Sequence, residues 1–126
     1  MAQPTIGEIR VLTEPTGQWT HNFGSVEASK PVPPHVMSFA WNGTKPLIPS
    51  ALSPSCACLT AVLLSSDAQG NVRRHELGEP IEPGTVFGVR IVLDTGGLKG
   101  EVRKRIMLAF DDPPGAVRLV MVADVR

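Results

Sequence analysis

Between Val86 and Arg126 apolar side chains recur at every second position in three successive runs. In VFGVRIVLDT, Phe87, Val89, Ile91 and Leu93 alternate with Gly88, Arg90, Val92 and Asp94. In EVRKRIMLAF, Val102, Ile106, Leu108 and Phe110 alternate with Arg103, Arg105, Met107 and Ala109. In AVRLVMVADVR, Val117, Leu119, Met121, Ala123 and Val125 form a wholly apolar row. Successive side chains of a strand point to opposite faces, so rows like these mark strands with one face buried. No window of a dozen residues carries an i, i+3, i+4, i+7 apolar stripe free of Pro or Gly. Helices are therefore not expected.

The first half keeps the same period in shorter runs. HVMSFAW places Met37, Phe39 and Trp41 on one face and is followed by Asn42-Gly43, a tight-turn signal. ACLTAVLL and VRRHEL flank the turn DAQGN, while QWTHNFGSV and PLIPSALSP read as shorter, weaker strands. Gly96-Gly97, Gly100 and the stretch Asp111 to Gly115 punctuate the remaining joins. Eight of the 12 prolines lie in residues 1–65. Proline lacks a ladder donor and is confined to edges, turns and bulges, so this half should hold short strands with irregular joins. Many short strands without a strand–helix rhythm predict an all-β, Ig-like antiparallel two-sheet β-sandwich of about seven or eight strands. A single domain spanning residues 1–126 is expected, with 1–17 as an extended N-terminal segment.

Twelve Lys and Arg balance 12 Asp and Glu. A neutral chain has no electrostatic footprint for nucleic acid, so none is expected as a partner. No apolar run reaches the ~18 residues a membrane span needs. The start, MAQPTIGEIRVL, has no basic stretch followed by an apolar one. The chain is expected to be cytoplasmic, or periplasmic or extracellular if a leader has been removed. Residues 1–65 carry only six charged side chains, which suits protein contact wherever that half is exposed. The one basic cluster is Lys99 with Arg103-Lys104-Arg105. On a strand, Arg103 and Arg105 share a face and Lys104 takes the other. Such a face either blunts a sheet edge or, with Lys99, forms a docking patch for an acidic partner.

SPSCACLTA holds the only two cysteines, Cys56 and Cys58. In a flat strand residues i and i+2 lie ~6.6 Å apart, whereas a disulfide wants Cβ atoms ~3.8 Å apart, so a bridge here needs a bend. A metal is more forgiving, because two thiolates on one ion sit up to ~4.6 Å apart. Soft thiolates favour Cu(I) or Zn(II). Zinc needs two further ligands, and His21, His35 and His75 are not at paired-ligand spacing. Cu(I) can be held by two thiolates, helped by Met37, Met107 or Met121. Two other readings stand beside these: small apolar residues packed at a proline-rich bend, and a reversible thiol–disulfide pair. A cysteine nucleophile needs a neighbouring imidazole. His21 and His35 read as strand-end residues and His75 as part of a solvated strand. No carboxylate pair is poised for acid–base work, and Asp111-Asp112 reads as a turn. No enzyme is expected.

Three segments carry a family resemblance. HNFGSV (His21–Val26), followed by a strand and Asn42-Gly43, resembles an H-D-F-G-x-V/I … N-x-G opening. SCACLTA (Ser55–Ala61) resembles an S-C-G-C-T-x segment. The run Glu79–Ile106 resembles the segment I-x-P-G-x-x-x-x-I-x-V-x-F-D-T-x-G-x-x-G-x-x-x-K-x-I. In this order they resemble the bacterial domain-of-unknown-function family numbered fifteen seventy-three, over roughly residues 19–125. Ala57 stands where the family has Gly, Leu59 where it has Thr, and the span from Cys58 to Glu79 is longer. Alanine tolerates a left-handed backbone less well than glycine. The resemblance implies an Ig-like sandwich akin to the interaction modules of sperm-protein and ciliary scaffolds. It also implies export, with a leader removed. The expected function is a non-catalytic Ig-like protein-interaction or structural module, a subunit of an envelope-associated assembly. Its partner would be another protein, with a homo-oligomer as an option. The alternative is a periplasmic Cu(I)-binding protein using Cys56 and Cys58.

Overall fold

The computed structural model describes residues 9–13, 19–67, 69–112 and 114–126. Among the described residues nine strands run in the order β1 (Ile9–Val11), β2 (Thr20–Val26), β3 (His35–Trp41), β4 (Ile48–Pro54), β5 (Leu59–Ser66), β6 (Val72–Arg74), β7 (Val86–Leu93), β8 (Gly100–Asp112) and β9 (Gly115–Val125). No helix occurs among the described residues, so none is long and apolar enough to cross a membrane. A five-stranded sheet, β1-β3-β7-β5-β6, packs on a four-stranded sheet, β2-β9-β8-β4.

The alternating rows become the core. Met37, Phe39, Trp41, Phe87, Val89, Ile91, Ile106, Leu108, Leu119 and Met121 are all within 2% of full burial. Each large apolar side chain so buried contributes about 1.5–3 kcal/mol relative to exposure. Phe39 stacks on Trp19 at 5.4 Å between ring centroids and tilts against Phe87 at 5.3 Å. The Trp41 indole N–H donates to the Lys45 carbonyl at 2.7 Å. Its ring lies so close over Gly43 that an added Cβ would overlap it. The turn signal Asn42-Gly43 is thus also a packing requirement.

Two features refine the expected sandwich. Ile9–Val11 forms a ninth strand, pairing Ile9 with Trp41 and Val11 with Phe39 at the sheet edge. The rest of the 1–17 segment lies outside the described residues. And one pairing is parallel: β2 runs beside β9, with His21 opposite Met121 and Val26 opposite Val125. The two strands are far apart in the chain, so no hairpin forces them to be antiparallel. The register of β2 shifts between Asn22 and Ser25. There Gly24 takes φ 76° and its N–H donates to Asn22 Oδ1 at 2.7 Å. Proline falls where its missing donor is tolerated: Pro49 and Pro54 lie on the edge strand β4, whose register shifts on both sides of Pro49.

Candidate functional site

Residues 55–58 carry the chain from β4 in one sheet to β5 in the other. The bend brings Cys56 and Cys58 to a Cα separation of 5.2 Å, and the two are joined as a disulfide. A flat strand would hold them ~6.6 Å apart, so the turn is what allows the bond. Backbone hydrogen bonds pin both flanks. Ser55 N–H donates to the Arg105 carbonyl at 2.8 Å, and Arg105 N–H returns a bond to Ser55 Oγ at 2.9 Å. Leu59 N–H donates to the Cys56 carbonyl at 3.2 Å, and Asp94 N–H to the Cys58 carbonyl at 2.7 Å. Inside the turn Cys58 N–H donates to Cys56 Sγ at 2.9 Å. Ala57 needs no left-handed backbone, because every described residue with positive φ is glycine. Both cysteines are partly exposed.

Of the methionines, Met107 lies on β8 opposite Ser53, near the end of β4. Met37 and Met121 are sealed in the core at 0% and 1% exposure. Among the described residues no three His, Cys, Asp or Glu side chains converge to hold a metal ion. His21 and His35 are strand-end residues, as read, but tertiary structure brings them together from different sheets. Their rings stack at 3.4 Å and 9°, with Phe23 edge-on to His21 at 4.7 Å. A metal bound in the plane of one ring would lie out of the plane of the other, so this pair is not a chelate.

His75 is not on a solvated strand. It is 4% exposed and sits just beyond β6, where its N–H donates to the Leu63 carbonyl at 2.8 Å. Its Nε2 lies 2.7 Å from the Glu79 carbonyl, which can only accept, so Nε2 carries the hydrogen. Nδ1 of that tautomer accepts from the Ser65 hydroxyl at 2.8 Å. Ser65 is 5% exposed. A hydroxyl on an imidazole resembles a nucleophile and its base, but the Ser65 hydroxyl is spent on Nδ1, Nε2 on the Glu79 carbonyl, and neither residue is more than 5% exposed. The network is structural. The Glu79 carboxylate, outside it, forks onto Arg73 and accepts from Glu76 N–H at 3.2 Å. The Arg73 hydrogen bond, followed by the Glu76 N–H, lowers the Glu79 pKa to about 2. Sequence reading missed His75 because its neighbours Arg73, Arg74 and Glu76 are charged.

The basic cluster divides. Arg103 and Arg105 are exposed on the outer face of β8, opposite Val122 and Val120. Arg118 on β9, opposite Met107, adds a third exposed guanidinium to that face. None of the three is in a salt bridge. Glu101 and Asp124 close the far end of the same face, with Asp124 held by Arg126 at 3.1 Å. Lys104 is on the opposite side, partly buried, and Lys99 lies in the loop before β8. Arg118 escaped the sequence reading because it is a lone charge in an apolar run. Among the described residues, the charge-poor first half contributes only part of the exposed apolar surface. Of the exposed large apolar residues, Leu12 and Val36 come from it, while Val72, Leu77 and Val86 do not.

Fold and site together define an Ig-like β-sandwich module with a Cys-x-Cys turn joining its sheets. The chain belongs to the family described as "Protein of unknown function (DUF1573)", whose model matches residues 16–125. That description assigns no activity. No curated protein matches the chain. A protein of unknown function from Porphyromonas gingivalis W83 is similar at 17% identity and a TM-score of 0.65, covering 92% of this chain and 46% of its own. A family 123 glycoside hydrolase from Clostridium perfringens is similar at 13% identity and a TM-score of 0.63, covering 84% of this chain and 22% of its own. The secreted serine protease VesC from Vibrio cholerae reaches 12% identity and a TM-score of 0.52, covering 82% and 21%. The chain therefore spans less than half the length of each of these proteins, and at such identities the likeness is one of fold.

Proposed function

We propose that the chain is an interaction module that docks an acidic protein surface through the outer face of its four-stranded sheet, as part of an envelope-associated assembly. The observation that carries this reading is the face bearing Arg103, Arg105 and Arg118, three exposed guanidiniums without carboxylate partners. Arginine forks match carboxylates, and unpaired like charges on one face favour a partner of opposite sign. A place outside the cytoplasm is supported by the disulfide, a bond that persists in oxidising compartments. Photo-crosslinking in cells tests the docking face. A photoreactive residue at Met107 should give adducts with a protein partner, and one at Val62 on the other sheet should not. The adducts should vanish in the triple variant Arg103→Glu, Arg105→Glu, Arg118→Glu. Equal adducts from both faces, or adducts indifferent to charge reversal, would sink the reading.

Cu(I) binding stands as a second proposal, supported by two sulfurs held within reach of one ion on a single turn. It requires the reduced pair. Anaerobic Cu(I) titration should show tighter binding to the reduced chain than to the Cys56→Ser, Cys58→Ser double variant.

A further inference from the structure

The geometry points to Cys56–Cys58 as a thiol–disulfide exchange site that takes an external dithiol, or in reverse a disulfide, as its substrate. This goes beyond the docking reading and does not depend on it.

Three observations lead there. First, the bridge spans one residue. A ring that small removes less chain entropy from the unfolded state than one closing a long loop, so its contribution to stability is minor. Second, the turn does not need the sulfurs to hold its shape. Ser55 is doubly bonded to Arg105 on one flank, and Cys58 accepts from Asp94 N–H on the other. Opening the S–S bond leaves those contacts in place. Third, the two sulfurs are not equivalent. The N–H of Cys58 is aimed at Cys56 Sγ, and a hydrogen-bond donor favours negative charge on the atom it meets. The strand hydrogen-bonded to Ser55 carries Arg103 and Arg105, which add positive charge to the neighbourhood. Both cysteines are partly exposed, Cys58 with part of its side chain against the core, and exchange needs the exposed part.

These features set the direction of exchange. A substrate thiolate attacks Cys58 Sγ, and the electron pair of the S–S bond moves to Cys56 Sγ. Cys56 leaves as the thiolate that the Cys58 N–H receives. A mixed disulfide now joins the substrate to Cys58. The second thiolate of the same substrate attacks its partner sulfur in that bond and closes the substrate's own disulfide. Cys58 is released and both cysteines take up protons. The external dithiol loses two electrons and two protons, and the Cys56–Cys58 pair gains them.

The test equilibrates the native chain with mixtures of reduced and oxidised dithiothreitol at pH 7. Thiols are trapped with a maleimide and counted by mass, while circular dichroism reports the fold. The expected result is a reversible step from no labelled cysteine to two, with the β signature unchanged throughout. Alkylation of the single variants by iodoacetamide then reads the asymmetry. Cys58→Ser, which keeps Cys56, should react about three- to tenfold faster at pH 7 than Cys56→Ser, the range one net hydrogen bond gives. The proposal is overturned if thiols appear only as the chain unfolds, or if no bridge forms in excess oxidised reagent. Equal alkylation rates would overturn the assignment of Cys56 as the leaving sulfur.

Discussion

The strand β5 is fixed at its two ends by different chemistry. At its start, Cys56 and Cys58 close a covalent turn that is partly exposed and pinned by backbone bonds on either side. Near its end, Ser65 meets His75 in a network buried to within 5%. By residue type the second end looks the more catalytic, with a hydroxyl on an imidazole and a carbonyl orienting the ring. By exposure it is nearly sealed, while Cys56 and Cys58 are both partly exposed. What a nucleophile does depends first on whether a reactant can meet it. A buried polar network, fully satisfied, holds structure.

That contrast can be broken by mutation. His75→Ala removes an acceptor from Ser65 and a donor from the Glu79 carbonyl, and leaves a void. It should cost about 2–4 kcal/mol in urea or thermal unfolding. Ser65→Ala should cost less, about 1–3 kcal/mol, and the double variant less than the sum, because both residues share one hydrogen bond. The Cys56→Ser, Cys58→Ser variant should lose no more than about 1.6 kcal/mol, the chain-entropy value for a three-residue ring. A loss larger than that of His75→Ala would make the bridge a staple and reverse the comparison.

The smallest effect concerns pH. Glu79 is half-exposed beside Arg73, and its pKa is lowered from 4.5 to about 2. A depressed carboxylate stabilises the fold above its unfolded pKa and loses that contribution as pH falls through the folded value. The stability gap between the native chain and Glu79→Gln should therefore be complete above pH 4.5, shrink below it and vanish near pH 2. A gap independent of pH across that window would show that the Arg73 fork contributes nothing measurable.

Much of the sandwich is legible in the amino-acid order because strand burial is a local, period-two pattern. Met37, Phe39 and Trp41, or Phe87 through Leu93, announce their shared face without help from the rest of the chain. The three residues of β1 are too few to carry a period. The direction of β2 is set by which strand it finds, and β9 lies about a hundred residues away. The candidate site is legible to the same degree. Arg103 and Arg105 share a face by strand parity, but Arg118 joins them through the β8–β9 register. His75 was misplaced because charged neighbours mark a solvated strand only when nothing folds over it. Here the following segment returns, with Glu79 over His75 and Ile81 paired to Leu47.

By itself the sequence determined the class of fold, the inward rows, the edge position of the prolines and the residues able to do chemistry. Those follow from side-chain period and backbone sterics, which act over a few residues. Tertiary structure decided which of them meet and which are reachable. It bent the Cys-x-Cys segment into a bondable turn, stacked His21 on His35, buried Ser65 with His75 and gathered three arginines on one face. Each depends on pairing between segments distant in the chain, and no local pattern encodes that distance.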